Sequence, residues 1–387
     1  MKKTVLALAC LFSCVAFSPA EAAWQPQLAV GLVAGQEVLA LKLPCKSQIF
    51  EGNSPKAALT LPAGSQLSIT HGGSHFTVNG KKLKNNGEGL FIKAAPEVKN
   101  FVFTWSQKDF RGTAKVMVRH GKLALINMVD TEDYLKGVVP EEMPHDWPAE
   151  ALKAQSVAAR TYALENRKRH EGEGFDLCAT THCQQYLGSK VEKAAASKAI
   201  EATYGEVLTY QGKLINAFFH TDSGGMTEDS ENVWGTKLPY LRAVEEKAKY
   251  TQPWKKVLTA ERVASLAGKG SHKDIGDLKR IELSTLKIGQ GSNDRTSSGR
   301  VKQVVFVGSK GRAAVSGNDL RSLLGLRSTM FNMKMDHKQV TVEGYGWGHG
   351  LGLSQWGARK WAEDGKSYRD ILKHYYQHIE LKKLYRI

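Results

Sequence analysis

The chain has 387 residues, 54 basic against 38 acidic, for a net charge of +16, with 42% hydrophobic residues. That balance favours an acidic polymer or anionic surface as partner, the other reading being a merely soluble basic surface. The length exceeds what one hydrophobic core usually serves, so two lobes are expected.

In chain order, Met1-Lys2-Lys3 opens a positive start, and Thr4 to Phe17 is an apolar run too short to span a bilayer. Ala20-Glu21-Ala22 supplies a small-x-small cleavage pattern, which predicts a signal peptide over residues 1–22 cut after Ala22. Alternative readings are an uncleaved anchor or a lipoprotein through Cys14. No later stretch is apolar enough to cross a membrane, so an exported chain in the periplasm or cell envelope is expected. Export argues against nucleic acid as the acidic partner.

Residues 23–115 read as a β-rich region. Val38 to Leu41 and Gln66 to Ile69 are strand-like, and Asn79-Gly80 and His120-Gly121 mark hairpins. A helix is predicted over 146–169, with Asp146 as N-cap and Ala151, Leu152, Ala154, Ala158, Ala159, Tyr162 and Ala163 at helical spacing. A second helix is expected over 190–202. Residues 265–300, rich in Gly, Ser, Lys and Asp, read as loops around one strand, Ile281 to Leu283. Irregular alternation of strands and helices predicts an α+β fold, not a doubly wound sheet. Asp364-Gly365-Lys366-Ser367 lacks the upstream glycine of a phosphate loop, and no organic cofactor is expected.

Three segments concentrate the residue types that active sites use. They are Tyr134 to Pro144, containing Glu141-Glu142-Met143-Pro144; Phe219 to Ser230, containing His220-Thr221-Asp222-Ser223-Gly224-Gly225; and Gly344 to Ala358, containing Gly346-Trp347-Gly348-His349-Gly350 and Gln355-Trp356. Together with Ala159-Arg160-Thr161-Tyr162, Ser298-Gly299-Arg300-Val301 and Ser316-Gly317-Asn318-Asp319-Leu320-Arg321, this ordered set resembles the SpoIID/LytB family over about residues 116–385. The resemblance sets residues 116–387 apart as a catalytic region with a glycan-binding groove between two lobes. It implies a lytic transglycosylase acting on peptidoglycan glycan strands, at the bond between N-acetylmuramic acid and N-acetylglucosamine, with stem peptides removed. It also implies Glu142 as the catalytic acid and Arg160 as its partner. Some relatives enhance an amidase, so an amidase is a second candidate partner, and a non-catalytic wall-binding protein is the alternative function.

The chemistry of the residues runs parallel to this. Cleaving a glycosidic bond needs a carboxylic acid that stays protonated, and Glu142 lies between Val138-Val139 and Met143, where burial raises a pKa. Glu141 pushes the same way; Arg160, if close, would lower the pKa or hold a substrate group. The bland alternative makes Glu142 a helix-entry carboxylate. A transglycosylase needs no second carboxylate, because the sugar's own 6-hydroxyl closes the ring; Asp222, Glu228 and Asp229 stay open as second acids. His220, Ser223, Gly224, Gly225, His349 and Gln355 are substrate-binding candidates, with Trp347 and Trp356 as stacking faces. A Ser-His-Asp triad within 220–230 is disfavoured because no nucleophile elbow is present.

Of five cysteines, Cys10 and Cys14 fall in the expected leader, and Cys45 reads as a lone buried thiol. Cys178, His182 and Cys183, with His170 upstream, have the donor types of a structural zinc site. The competing reading is a Cys178–Cys183 disulfide.

Overall fold

The computed structural model describes residues 26–246 and 253–386. The expected leader lies outside these residues. Two sheets, antiparallel except for the parallel pairing of 177–178 with 27–36, enclose the first core. One has the spatial order 177–178, 27–36, 122–130, 113–119, 90–94, 47–51, 59–61; the other runs 108–111, 102–105, 39–43, 65–71, 75–78, 81–84. Strand Leu39–Leu43 shows why: Leu39, Leu41 and Leu43 are buried while Ala40 and Lys42 are exposed, the two-residue alternation of a half-buried strand. From the facing sheet, Val30, Ile49, Ile92 and Leu125 close the same core.

Both expected hairpins form. Val78 pairs with Lys81 and Arg119 with Lys122. In each, both turn residues take positive φ (Asn79 48°, Gly80 84°; His120 48°, Gly121 74°), the backbone of a tight two-residue hairpin. The expected division between residues 115 and 116 falls inside strand Thr113–Arg119, which pairs on both sides within the seven-stranded sheet.

The helices follow: α1 (Thr131–Lys136), α2 (Val139–Glu142), α3 (Ala149–Glu165), α4 (Ala194–Ala202), α5 (Ser230–Trp234), α6 (Ala260–Ser271), α7 (Gly317–Leu324), α8 (Gln355–Glu363) and α9 (Tyr368–Tyr375). Among the described residues none is long and apolar enough to cross a membrane. Helix α3 begins after Pro148 with no side-chain cap, so Asp146 is not its N-cap. It is buried almost all round, because its alanines let α1, α2, α4, α8 and α9 approach from several sides. The second core gathers Leu152, Ala158, Leu208, Leu241, Ile371 and Tyr376 around α3, α8 and α9.

Arg160 sits in the middle of α3, fully enclosed. Its guanidinium donates to both oxygens of Glu132 (2.8 and 2.7 Å) and to the carbonyls of Ile200 (3.3 Å) and Glu206 (3.1 Å). Glu132 also accepts from Tyr385 Oη at 2.6 Å. The arginine therefore ties α1, α3, α4 and the C-terminus together. Arg160→Ala is expected to destabilise the fold by about 3–5 kcal/mol by leaving Glu132 buried and unpaired. Urea denaturation measures this; a loss under about 1 kcal/mol would contradict the assignment.

Residues 254–344 carry a third core of their own, with Val263, Phe306, Leu320, Phe331 and Val342 at its centre. Two three-stranded sheets build it, in the orders 254–259, 339–344, 331–336 and 278–282, 303–308, 312–316. Helices α6 and α7 are both N-capped, Thr259 Oγ1 accepting from Arg262 N and Ser316 Oγ from Asp319 N. This corrects the reading of 265–300 as loops around Ile281 to Leu283: α6 runs to Ser271 and the strand is Leu278–Glu282. Only the rest is loop, pinned by Arg295 to the carbonyls of Ser284, Gly299 and Phe331 at 2.8–3.0 Å.

Candidate active site

Where the three cores meet, a cavity of about 380 Å³ opens. Glu142 and Tyr162 come to it from α2 and α3, His220 from the short strand Phe219–His220, His349 from a loop, Gln355 from the start of α8, and Arg321 from α7 of the third core. Trp234 and Trp347 stand at its lining 48% and 51% exposed. The loops are joined by a short parallel pair, Phe219–His220 beside Leu353–Ser354, and by reciprocal backbone bonds between Asp222 and Trp347 (3.0 and 2.8 Å). Gly348 makes the junction possible. At φ +117° a Cβ there would lie 2.6 Å from His220 Cβ, so only glycine lets the chain pass.

Glu142 is the last residue of α2 and is partly buried. Its Oε1 accepts from Gln185 N at 3.3 Å, and the Gln355 side chain donates to the same carboxylate. Burial pushes its pKa above the usual carboxyl range, and the charge of Glu141 adds to this; the Gln185 and Gln355 hydrogen bonds oppose it. Among the described residues, Glu142 is the sole acid lining the cavity. Asp222 instead accepts from Gly224 N (2.9 Å), and buried Glu228 accepts from Thr296, Ser298 and Asn232.

Burial disfavours the charged form of both histidines. His349 is pushed down to about 3 by burial, then by Arg321 and Arg300, while its Nδ1 accepts from Leu351 N at 3.0 Å. His220 is held well below the usual imidazole range by burial. His220 Nδ1 bonds the Leu351 carbonyl at 3.1 Å, which leaves Nε2 as a buried acceptor with no partner.

Three expected sugar-binding residues stand behind the wall. Ser223 Oγ, fully buried, donates to Glu246 at 2.6 Å, Gly225 N donates to Ser223 Oγ at 3.0 Å, and Gly224 N is spent on Asp222. Their polar groups brace the loop: buried Glu246 also accepts from Ser354 (3.2 Å) and Tyr375 (2.7 Å). Arg160, enclosed by Glu132, is likewise not a lining residue. Trp356 packs on Trp147 with ring centroids 4.8 Å apart and is not a lining residue either. Arg321, Trp234 and Tyr162 line the cavity although sequence reasoning gave them no role there; Arg321 was visible only as a member of a quoted motif.

One wall is the cysteine–histidine clip, through His182 and Cys183. Strand Leu177–Cys178 anchors it against Gln27–Gln36. One donor atom each from His170, Cys178, His182 and Cys183 lies within 4.8 Å of the others. Cys183 Sγ is 3.4 Å from His170 Nε2 and 3.7 Å from His182 Nδ1, and Cys178 Sγ is 3.6 Å from His182 Nδ1. Tetrahedral zinc with ordinary Zn–S and Zn–N bonds has S···N edges of about 3.5 Å, so the donor set fits. His170 Nδ1 faces Glu173 at 2.5 Å, which turns the Nε2 lone pair toward the centre. Cys178 and Cys183 are not bonded to each other in this structure, and Cys45 is only partly buried where a buried thiol was expected.

The family model described as SpoIID, Stage II sporulation protein, matches residues 119–210. Stage II sporulation protein D of Bacillus amyloliquefaciens is 33% identical over 274 residues, spanning 66% of this chain and 75% of that protein. The chain belongs to the SpoIID family. The SpoIID match contains Glu142, Arg160 and the whole clip, while a domain of unknown function, DUF8618, matches 242–352 and takes in the third core with Arg321 and His349. An uncharacterized protein of Brachyspira hyodysenteriae is 31% identical over 306 residues, covering 77% of this chain and 79% of its own. The amidase enhancer of Bacillus subtilis is 34% identical over 283 residues, 62% of this chain but 39% of that longer SpoIID relative.

Proposed function

We propose that this chain is an exported lytic transglycosylase that cuts peptidoglycan glycan strands between N-acetylmuramic acid and N-acetylglucosamine, leaving 1,6-anhydro ends. The observation that carries the reading is Glu142: one carboxyl, raised in pKa by burial, facing a cavity whose lining has no second acid. Protonated Glu142 gives its proton to the glycosidic oxygen as the C1–O bond breaks. The muramyl 6-hydroxyl then attacks C1, and its proton returns to the Glu142 carboxylate, which Gln185 N and Gln355 steady. Hydrolysis would normally engage a second carboxylate for water or the sugar. Trp234 and Trp347 offer stacking faces at the opening, and buried His220 stands in the same lining. In this reading the clip holds one structural zinc through His170, Cys178, His182 and Cys183, which fixes the wall that His182 and Cys183 contribute.

Digestion of purified glycan strands, followed by mass spectrometry of the fragments, tests the reaction. Anhydro ends are lighter than hydrolysed ends by one water and are the expected product. Reducing ends would make the protein a hydrolase, and intact strands would remove the enzymatic reading. The amidase-enhancer name of one relative favours a second reading, binding without cleavage. Under it, stimulation of an amidase would persist in Glu142→Gln.

A further inference from the structure

Arg321 faces the cavity without a partner. Arg111, Arg160, Arg242, Arg312 and Arg369 each meet a carboxylate within 3.0 Å. The Arg321 guanidinium, partly buried on α7, has no hydrogen bond or ion pair among the described residues. Withdrawing a cation from water without compensation is unfavourable, so such a group in a cavity wall calls for an anion from outside. Its surroundings strengthen that demand. Arg300, fully buried, leaves Nε and Nη1 unpartnered, and both arginines act on His349 from within the same wall. The lining offers one carboxyl, Glu142, and the proposed reaction starts with that group protonated.

A guanidinium fork matches a carboxylate through two parallel hydrogen bonds. A cavity of about 380 Å³ that already holds the acid for a glycosidic bond leaves room for an anion carried on the reacting sugar itself. In a strand stripped of its stem peptides, that anion is the acid end of the lactyl ether on N-acetylmuramic acid. We propose that Arg321 is a specificity-determining residue that binds the muramyl lactyl carboxylate of the sugar presented to Glu142. A lactyl group closed as an amide or ester presents one neutral carbonyl and no charge to the fork. This assignment rests on the transglycosylase reading and deepens it.

The test compares glycan strands bearing free lactyl acids with the same strands methyl-esterified. Binding to Glu142→Gln is measured by calorimetry, and cleavage by the wild type is followed in parallel. Glu142→Gln is expected to bind the acid strand roughly tenfold or more tightly than the ester, the scale of a charge-assisted hydrogen bond. Adding Arg321→Gln should bring the acid-to-ester ratio close to one. Arg321→Lys, which keeps the charge and loses the fork, should give an intermediate ratio and serves if the glutamine variant does not fold. An acid-to-ester ratio unchanged by both substitutions, or no acid preference in Glu142→Gln alone, overturns the assignment. Failure of the wild type to cut either strand would defeat the transglycosylase reading, whereas the binding ratio would still decide the role of Arg321.

Discussion

Glu142→Gln is expected to slow strand cleavage by about 10²- to 10⁴-fold, the range a positioned general acid contributes. The amide keeps an oxygen for Gln185 N, so the local structure has a reason to persist while the transferable proton is gone. The pH dependence carries a second signature. Burial, then Glu141, raise the Glu142 pKa, so the active protonated form should persist above the ordinary carboxyl range and activity should fall as pH climbs through the raised value. Glu141→Gln removes one raising influence and should move that falling limb to lower pH. Stability has the same sign. A carboxyl with a raised native pKa binds its proton more tightly in the folded chain, so its effect on stability is nil below the unfolded pKa and becomes destabilising as pH rises through the native one. Glu142→Gln should flatten that part of the stability profile. A cleavage rate independent of pH on its alkaline side, or full activity in the glutamine variant, would remove Glu142 from the chemistry.

Stripping the clip of metal is expected to cost activity by at least about tenfold, the scale on which metal-supporting groups act. The physical route is indirect. His182 and Cys183 are both wall of the cavity and donors of the clip, so their positions depend on what the four donors hold. A strong chelator or Cys183→Ser should release zinc, expose free thiols and lower thermal stability, since metal binding free energy is folding free energy for such loops. Glu173→Gln, which leaves all four donors in place, should weaken metal affinity by about 10- to 100-fold. Metal analysis with thiol titration distinguishes the alternative. A disulfide would respond to reductant rather than chelator, and purified protein without zinc and with the Cys178 and Cys183 thiols oxidised would establish it.

The parts of the fold that announce themselves in sequence are those governed by near neighbours. Asn79-Gly80 and His120-Gly121 marked their hairpins because positive φ at both positions is a local requirement. Helix α3 showed in its alanine spacing, although its start moved to Pro148. Helix α6 was hidden because Gly268, Gly270 and Ser271 dilute the helical signal, and the third core around it rests on pairings from Trp254 to Gly344. At the site, the burial and raised pKa of Glu142 were legible from its apolar neighbours, whereas its assignment as the acid came from the family resemblance of the Glu-Met-Pro segment. The fate of Arg160 was not legible, because its partners Glu132, Ile200 and Glu206 lie 28 to 46 residues away and Tyr385 shares the carboxylate from 253 residues off. Ser223, Gly224 and Gly225 have the composition of a ligand loop. Only the burial of Glu246 beneath them shows where their hydrogen bonds go.

Trp254 and Gly344 are directly opposite each other in one antiparallel ladder, so the third core begins and ends at adjacent positions. Such a cassette is also keyed to the body, through Thr296 and Ser298 on Glu228 and Arg300 on the Ser223 carbonyl, so an exchange between relatives must carry those partners with it. Since that cassette brings Arg321, hybrids carrying another relative's version would alter which sugars are admitted while inheriting the same bond-breaking group.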